Sequence, residues 1–312
     1  MRDRGQPDPL HRSAQAVLSS SREESGLSDE DLAALIAGAP YPAGSGDHEA
    51  FGRIAGVADR LMRRHHYSSS TVDAFYTRAR DGQHGERAFV GGPEALKLHG
   101  YPAEAIAKVP DNALARFLGL GDVWTGTESL QDQRILDVGC GAGVDLCVAS
   151  TLSGGTALLV GVDKRPELLP IAARACPTAT VLVAGVEALP FVAGSFDLVL
   201  ANGLPPLQRV QTMSTTSAAL SELTPPGGTI AATVLTSAPD ITTRISIAYP
   251  NHPPTFTQGL ALLITGKPTV QQVVRAFDNY GTVAVPRRGV NPYRDPTVRA
   301  RTALFSIRVT RR

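Results

Sequence analysis

The chain has 312 residues, enough for one large α/β domain with appendages or for two average domains. Lys and Arg number 30 against 29 Asp and Glu, and aromatic residues make up 5%, so neither a polyanion-binding field nor a base-stacking surface is indicated. This composition argues against a nucleic-acid partner. No apolar run approaches the ~18 residues of a membrane span, and the first residues lack the apolar core of a secretion signal. An odd count of 3 cysteines predicts a reduced, cytoplasmic protein without a disulfide framework.

Residues 1–66 are predicted to form an N-terminal helical extension, and residues 67–312 the main domain. Ser28, followed by acidic residues and an apolar run, is typical of a helix start. A second helix is predicted over residues 51–64, where apolar side chains share one face. The pair His65-His66 has no spaced partner of the kind that binds a metal, and no metal site is expected.

From about residue 130, short β-branched runs alternate with helical patterns. This alternation predicts an α/β fold with a doubly wound, mainly parallel sheet and helices on both faces. Strands are predicted over residues 134–138, 157–162, 180–183, 196–201, 229–235 and 302–309. Helices are predicted near residues 144–150, 166–175 and 207–223.

A glycine-rich loop follows the first predicted strand, with glycines at 139, 141 and 143. Glycines permit a tight turn and leave the main chain open to a ligand. Val144 stands where the dinucleotide fingerprint requires its third glycine, and Asp137 would repel a phosphate. The loop therefore predicts a crevice for a positively charged ligand without phosphate. S-adenosylmethionine, with its ammonium and sulfonium groups, has this character.

The next strand ends carry further polar groups. Asp163 follows the second strand at a spacing that suits an acid accepting hydrogen bonds from ribose hydroxyls, although it also suits a helix cap. Glu187, after the third strand, offers a carboxylate to an adenine edge, and an irregular loop begins at Asn202 after the fourth. Because parallel strands end at the same edge, we expect these loops to line one crevice.

Taken in this order, the segments resemble the class I S-adenosylmethionine-dependent methyltransferases over about residues 130–235. The segments are Asp137-x-Gly139-x-Gly141-x-Gly143, Gly161-Val162-Asp163, Glu187-Ala188-Leu189-Pro190-Phe191, Phe196-Asp197-Leu198-Val199 and Pro226-Gly227-Gly228. The resemblance implies a Rossmann-like, doubly wound, mainly parallel seven-stranded sheet and S-adenosylmethionine as the cofactor.

The same resemblance implies a role for each matching residue. The loop glycines approach the methionine and ribose, and Asp137 lies near the amino group. Asp163 takes the ribose hydroxyls, Val186 and Glu187 the adenine, and the Asn202 backbone the ammonium. The predicted cofactor-binding residues are Asp137, Gly139, Cys140, Gly141, Gly143, Asp163, Lys164, Val186, Glu187, Asn202 and Gly203.

Upstream, the segments 72–76, 98–104, 109–113 and 118–121 are similar to the N-terminal part of the arsenite methyltransferase group. Proteins of that group hold trivalent arsenic through cysteine thiolates. Here two of those positions read Asp122 and Gly203. A soft metalloid needs thiolates, so we expect the fold and cofactor of the group but not its arsenite substrate.

Candidates for the acceptor side come from the N-terminal segment and from a late loop. The resemblance places Tyr76 in a lid helix over the cofactor, and Tyr249 or His252, in a proline-rich loop, is a candidate base. For any one of these candidates, the pattern favours a solvent-facing loop residue over a catalytic one. Further acceptor-side candidates are His99, Tyr101 and Trp124. The arginine-rich stretch over residues 287–312 suits either an anion site or a solvated edge strand.

Together these patterns predict methyl transfer from S-adenosylmethionine to a small molecule of specialised metabolism, with no nucleic-acid or membrane partner. The oligomeric state stays open. Two alternatives also stay open: intramolecular cyclisation of the cofactor to a small-ring amino acid with release of methylthioadenosine, and cofactor binding without catalysis. The adenosine product distinguishes them.

Overall fold

A computed structural model describes residues 90–127, 129–239, 267–292, 294, 299 and 302–312. The predicted extension over residues 1–66 lies outside these ranges, as do Tyr76, Tyr249 and His252. The predicted domain boundary near residue 66 therefore stays a prediction.

Within residues 90–127, three short helices precede the sheet. They are α1 Gly92–Leu98, α2 Ala103–Ile106 and α3 Asp111–Leu114. A proline lies in the first turn of α1, and Pro102 and Pro110 directly precede α2 and α3. Proline at a helix start leaves no unpaired N–H, so the prolines fix where these helices begin. The sequence patterns did not predict these helices, because each is too short to show a helical period.

The sheet is mainly parallel, as predicted. Its strands are β1 Arg134–Val138, β2 Leu158–Asp163, β3 Thr180–Val183, β4 Leu198–Asn202, β5 Thr229–Ser237, β6 Gly281–Val283, β7 Arg287–Arg288 and β8 Thr302–Arg311. The order is β3-β2-β1-β4-β5-β8-β6, and the two-residue β7 also pairs with β8. Strands β1 to β5 are parallel, and β8 is antiparallel to β5, β6 and β7. The main path has the seven strands that the resemblance implied. Six of them were predicted individually from the sequence, whereas β6 and the additional β7 were not.

The later helices alternate with the strands. They are α4 Val144–Leu152, α5 Leu169–Ala175, a 3₁₀ helix Pro205–Gln208, α6 Val210–Glu222 and α7 Val270–Asp278. The sequence patterns did not predict α7, although its first turn carries a readable signal. Thr269 Oγ1 accepts from the Gln272 N–H and Gln272 Oε1 accepts from the Thr269 N–H, which is a capping box.

Both faces of the sheet are covered. Ile135 packs with α4 and the N-terminal helices, whereas its neighbour Leu136 packs with α6 and α7 on the other face. A parallel strand buried on both faces reads as a continuous apolar run rather than an alternating one. In the described part of the chain, every helix is too short or too polar to cross a bilayer.

Strand order reverses at β1, which lies between β2 and β4. Loops after β1 and β4 therefore leave the sheet toward opposite faces and open a crevice at the carboxyl edge. This topology places the glycine loop and the loop after Asn202 on either side of one opening.

Candidate functional site

A cavity of about 360 Å³ lies at this carboxyl edge. Loops after β1, β2, β3 and β4 form its wall, and residues 116–119 complete it. Nine of the predicted cofactor-binding residues line the cavity: Gly139, Cys140, Gly141, Asp163, Lys164, Val186, Glu187, Asn202 and Gly203. Asp137 and Gly143 do not line it.

The glycine loop presents open main chain to the cavity. The Gly139 and Cys140 N–H groups both donate to the Val162 carbonyl, at 2.8 and 2.9 Å. These two hydrogen bonds hold the loop against β2. Gly141 has φ +52°, and a Cβ added there would meet no atom within 4 Å. Because Gly141 lines the cavity, a side chain at this position would take up ligand space.

Gly143 has a different role from its two neighbours. Its φ is +83°, and an added Cβ would lie 2.9 Å from the backbone Cα of Ala172 in α5. The absence of a side chain therefore lets α4 begin close against α5. The structure places Gly143 in helix packing and outside the cavity wall.

Asp163 fastens two loops at the end of β2. Its Oδ2 accepts from the Gly141 N–H and its Oδ1 from the Arg165 N–H, both at 2.9 Å. The carboxyl is 9% exposed and borders the cavity. Asp163 thus caps a turn; the N-cap of α5 is Leu168, so Asp163 is not the helix cap that the sequence left open. Each carboxylate oxygen has further lone pairs that could accept from a ligand. Its contact with ribose stays a prediction.

Asp137 is a buried acid with an unsatisfied oxygen. Its side chain is 2% exposed, and Oδ2 has no hydrogen-bond partner within the described structure. Burial raises the pKa of Asp137 well above its usual range, and the charges of Asp145 and Asp163 act in the same direction. A buried carboxyl of this kind is costly unless it is protonated or meets a cation. The structure therefore fits a positively charged ligand group near β1.

A buried polar network joins α4 to the N-terminal wall. Asp145, 6% exposed, accepts from the Tyr101 hydroxyl at 2.7 Å and from Asn202 Nδ2 at 3.0 Å. Burial raises the pKa of Asp145, while these two hydrogen bonds lower it in part. Asn202 Oδ1 accepts from the Leu120 N–H at 2.9 Å and from Thr233 Oγ1 at 2.7 Å. The Asn202 side chain therefore holds the wall in place.

The far end of the cavity belongs to the loop after β3. Val186 is buried and Glu187 is exposed. The Glu187 carboxylate lies directly over the main chain of Gly185, in the space that a side chain at residue 185 would occupy. Lys164 lies exposed on the wall beside Asp163. This end thus offers a carboxylate and peptide groups to a nucleobase edge.

Asp122 and Gly203 stand at the two positions where the resemblance implied arsenic-binding thiols, and both have structural roles. Asp122 Oδ1 accepts from the Trp124 and Thr125 N–H groups, at 2.7 and 3.0 Å, and so caps a turn. Gly203 has φ +74°, and an added Cβ would lie 2.8 Å from Leu120 Cγ. A thiol at residue 203 would require Leu120 to move.

The three cysteines are free and buried. Cys140 lines the cavity, and burial raises the pKa of its thiol well above the usual range, so it is a neutral thiol at pH 7. Within the described ranges, no group of three His, Cys, Asp or Glu side chains has an arrangement that would hold a metal ion.

The acceptor-side candidates separate in the structure. Tyr101 reaches the cavity through Asp145 and Asn202. His99 and Trp124 are buried but do not line the cavity. The sequence patterns did not single out Asp145 or the wall residues Arg116, Phe117, Arg209 and Thr212. Asp145 could have been predicted, because it is an acid in the first helical turn after the glycines. The other residues carry no local signal, and the order of the strands in the sheet is what brings them to the cavity.

Residues 135–228 match a family described as a methyltransferase domain. The match begins in β1 and ends directly before β5, so it includes the four strand ends that form the cavity. No curated protein matches the chain.

Solved methyltransferase structures resemble the fold. CrArsM, an arsenic (III) S-adenosylmethionine methyltransferase from Chlamydomonas reinhardtii, is 19% identical, with a TM-score of 0.51 over 67% of this chain and 72% of that chain. The N-methyltransferase NodS from Bradyrhizobium japonicum, solved with S-adenosyl-L-homocysteine, is 16% identical, with a TM-score of 0.38 over 57% and 79% of the two chains. The likeness to the first structure shows a shared fold.

Proposed function

We propose that this protein, which has a class I methyltransferase domain and uses S-adenosylmethionine as its cofactor, transfers the methyl group to a small-molecule acceptor. The observation that carries the proposal is one cavity in which the four strand-end loops face the N-terminal wall 116–119. At about 360 Å³, the cavity lies in the range of small-molecule sites.

The residues present fit this cofactor. Bound S-adenosylmethionine supplies a methyl group activated by its sulfonium. In our proposal Asp163 holds the ribose hydroxyls, Glu187 and the peptide of Val186 meet the adenine, and the bare main chain of the glycine loop lies along the methionine. Asp137 and Asp145 are buried acids near this part of the cavity. Burial raises the pKa of both carboxyls, and a cationic ligand group beside them would favour their ionised form.

The chain contributes orientation and exclusion of water. Phe117 and Leu204 are buried side chains on opposite walls of the cavity, one before the sheet and one after β4. Apolar walls keep water from the reacting centre and fix the direction from which an acceptor approaches.

For residues outside the described ranges, the proposal keeps the sequence prediction. Tyr76 serves as a lid residue, and Tyr249 or His252 as a base for acceptors that must lose a proton. Residues 1–66 form an extension and residues 67–312 the catalytic domain. A role in specialised metabolism and a cytoplasmic location belong to the same proposal, and the free state of all three cysteines supports a reducing compartment.

The test is incubation with S-adenosylmethionine, with and without a metabolite extract of the source organism, followed by mass analysis. We expect S-adenosylhomocysteine and a methylated product when the extract is present. Methylthioadenosine as the adenosine product would replace the proposal with cofactor cyclisation or cleavage. Cofactor binding without turnover in any extract would indicate a non-catalytic protein.

A further inference from the structure

We infer that the acceptor carries an anionic group, a carboxylate or a phosphate, that Arg116 and Arg209 bind on the acceptor side of the cavity. The inference rests on the proposed function and adds the chemical class of the substrate. The inference is based on the charged side chains in two parts of the cavity wall to which the cofactor was not assigned, residues 116–119 and the start of α6.

Arg116 lies in the N-terminal wall. Its Nη1 donates to the Asn112 carbonyl at 2.8 Å, and its Nε is buried without a hydrogen-bond acceptor among the described residues. In the part of the chain that the structure describes, no carboxylate lies within ion-pair distance of this guanidinium. The wall therefore holds a cation whose charge is not neutralised by the neighbouring described residues.

Arg209 lies on the other side, at the N-cap of α6, and is exposed. Helix α6 has 13 residues, and no described side chain caps its N-terminus. Thr212, in its first turn, also lines the cavity. The helix dipole adds partial positive charge at this end. No described carboxylate pairs with Arg209. Burial lowers the pKa of Lys267 to about 8, and the charge of Arg209 acts in the same direction.

The cavity is thus divided by charge. Three acids line the part of the cavity where the cofactor is proposed to bind: Asp145 in the first turn of α4, Asp163 at the end of β2 and Glu187 in the loop after β3. Arg116 and Arg209 come from the wall before the sheet and from the start of α6. Lys164 and Arg165 also line the cavity, next to Asp163 in the chain, so the cofactor side carries charges of both signs. The charged lining residues that come from the wall before the sheet and from the start of α6 are both arginines.

Guanidinium groups bind carboxylates and phosphates through paired N–H donors, and they repel cations. An anionic acceptor would therefore be attracted to these walls and oriented toward a cationic methyl donor. A cationic acceptor would meet two arginines that no described carboxylate neutralises, beside the same opening.

The experiment separates a metabolite extract by anion exchange into retained and unretained fractions. Each fraction is incubated with S-adenosylmethionine and enzyme, and S-adenosylhomocysteine is measured. We expect turnover in the retained fraction. A portion treated with phosphatase distinguishes the two anions, because a phosphate monoester loses activity and a carboxylate keeps it.

The variants are Arg116→Gln and Arg209→Gln, with Arg174→Gln as a matched control. Arg174 is exposed on α5 and does not line the cavity. We expect each cavity variant to raise the KM for the active fraction by about 10- to 100-fold, the range for one charge-assisted hydrogen bond, while kcat changes little. Affinity for S-adenosylhomocysteine, measured by calorimetry, should stay within about twofold of wild type, which also shows that each variant folds.

Turnover in the unretained fraction alone, or an unchanged KM in both cavity variants, would overturn the anionic acceptor and leave methyl transfer standing. Absence of S-adenosylhomocysteine from every fraction would overturn the proposed function and the acceptor class together.

Discussion

Glycines in the loop after β1 divide into two kinds. Gly141 leaves space open over the cavity, whereas Gly143 lets the backbone of Ala172 approach. Both have positive φ, so the backbone conformation alone does not reveal the role. What differs is the atom that a side chain would meet.

Gly141→Ala should weaken binding of S-adenosylhomocysteine at least tenfold by calorimetry, because its methyl group would project into the cavity. Gly154 is the matched control. It also has positive φ and no atom within 4 Å of an added Cβ, but it lies outside the cavity. Both variants should lose about 1–2 kcal/mol of unfolding free energy from the left-handed conformation. Equal affinity in the two variants would contradict a ligand-facing Gly141.

Asp163→Ala should weaken binding of S-adenosylhomocysteine by about 1.5–3 kcal/mol, the range for hydrogen bonds to a charged group. The change also releases the Gly141 and Arg165 N–H groups, which loosens the loop. Calorimetry measures the loss, and Glu222→Ala, an exposed acid outside the cavity, should leave affinity unchanged. An Asp163→Ala protein with wild-type affinity would rule out the ribose assignment.

At the scale of the elements, polar contacts hold the N-terminal wall in position against α4 and β4. Asn202 at the end of β4 accepts from the Leu120 N–H, and the Tyr101 hydroxyl bonds both Asn202 and Asp145. Tyr101 also packs edge-to-face on Phe117, at 5.4 Å between ring centroids. One tyrosine therefore couples the wall to α4 and β4.

Tyr101→Phe should lower the free energy of unfolding by about 1–3 kcal/mol, because Asp145 Oδ1 then loses its donor in a buried position. Urea unfolding measures the change. Tyr280→Phe is the control, since no described hydrogen bond uses the Tyr280 hydroxyl and its ring contact with Arg311 is kept. A Tyr101 variant as stable as the control would show that the network contributes nothing to the fold.

In the whole molecule, the arginine-rich stretch divides into arginines that tie β8 to its neighbours and arginines that are exposed, such as Arg287 and Arg288 of β7. Arg308 Nη2 donates to the Val123 carbonyl at 3.0 Å and to Thr127 Oγ1 at 2.6 Å, so β8 is tied to the chain before the sheet. Arg311 Nε donates to the Thr224 carbonyl after α6, and Arg312 Nη2 donates to the carbonyls of Asp278 in α7 and Gly281 in β6. Arg308, Arg311 and Arg312 are thus engaged in the fold.

The protein has a formal charge of +1, so repulsion between like charges contributes little to its stability. The pH dependence of stability comes instead from groups whose pKa values change on folding, such as buried ones. Burial lowers the pKa of His99 to about 4, against an opposing effect of Asp122. The unfolded chain therefore binds an extra proton between about pH 6.5 and 4, and the stability contributed by neutral His99 is lost as the pH falls. The raised pKa values of Asp137 and Asp145 act with the opposite sign.

Comparison of the wild type with His99→Gln isolates the histidine. From pH 7 to pH 5, the wild type should lose about 2 kcal/mol of unfolding free energy relative to the variant. Urea unfolding at both pH values measures the difference. Parallel pH profiles for the two proteins would contradict a buried neutral His99.

The sequence by itself determined the parallel strands, the glycine loop and the acids at the strand ends, because each depends on local periodicity or on backbone freedom. Only the tertiary structure decided that Gly143 packs a helix, that Asn202 uses its side chain on the wall, and that Arg116 and Arg209 share one cavity. These contacts join residues far apart in the chain, and strand order at the switch between β1 and β4 brings them together. No local pattern encodes that order, since it follows from how the helices cover both faces of the sheet.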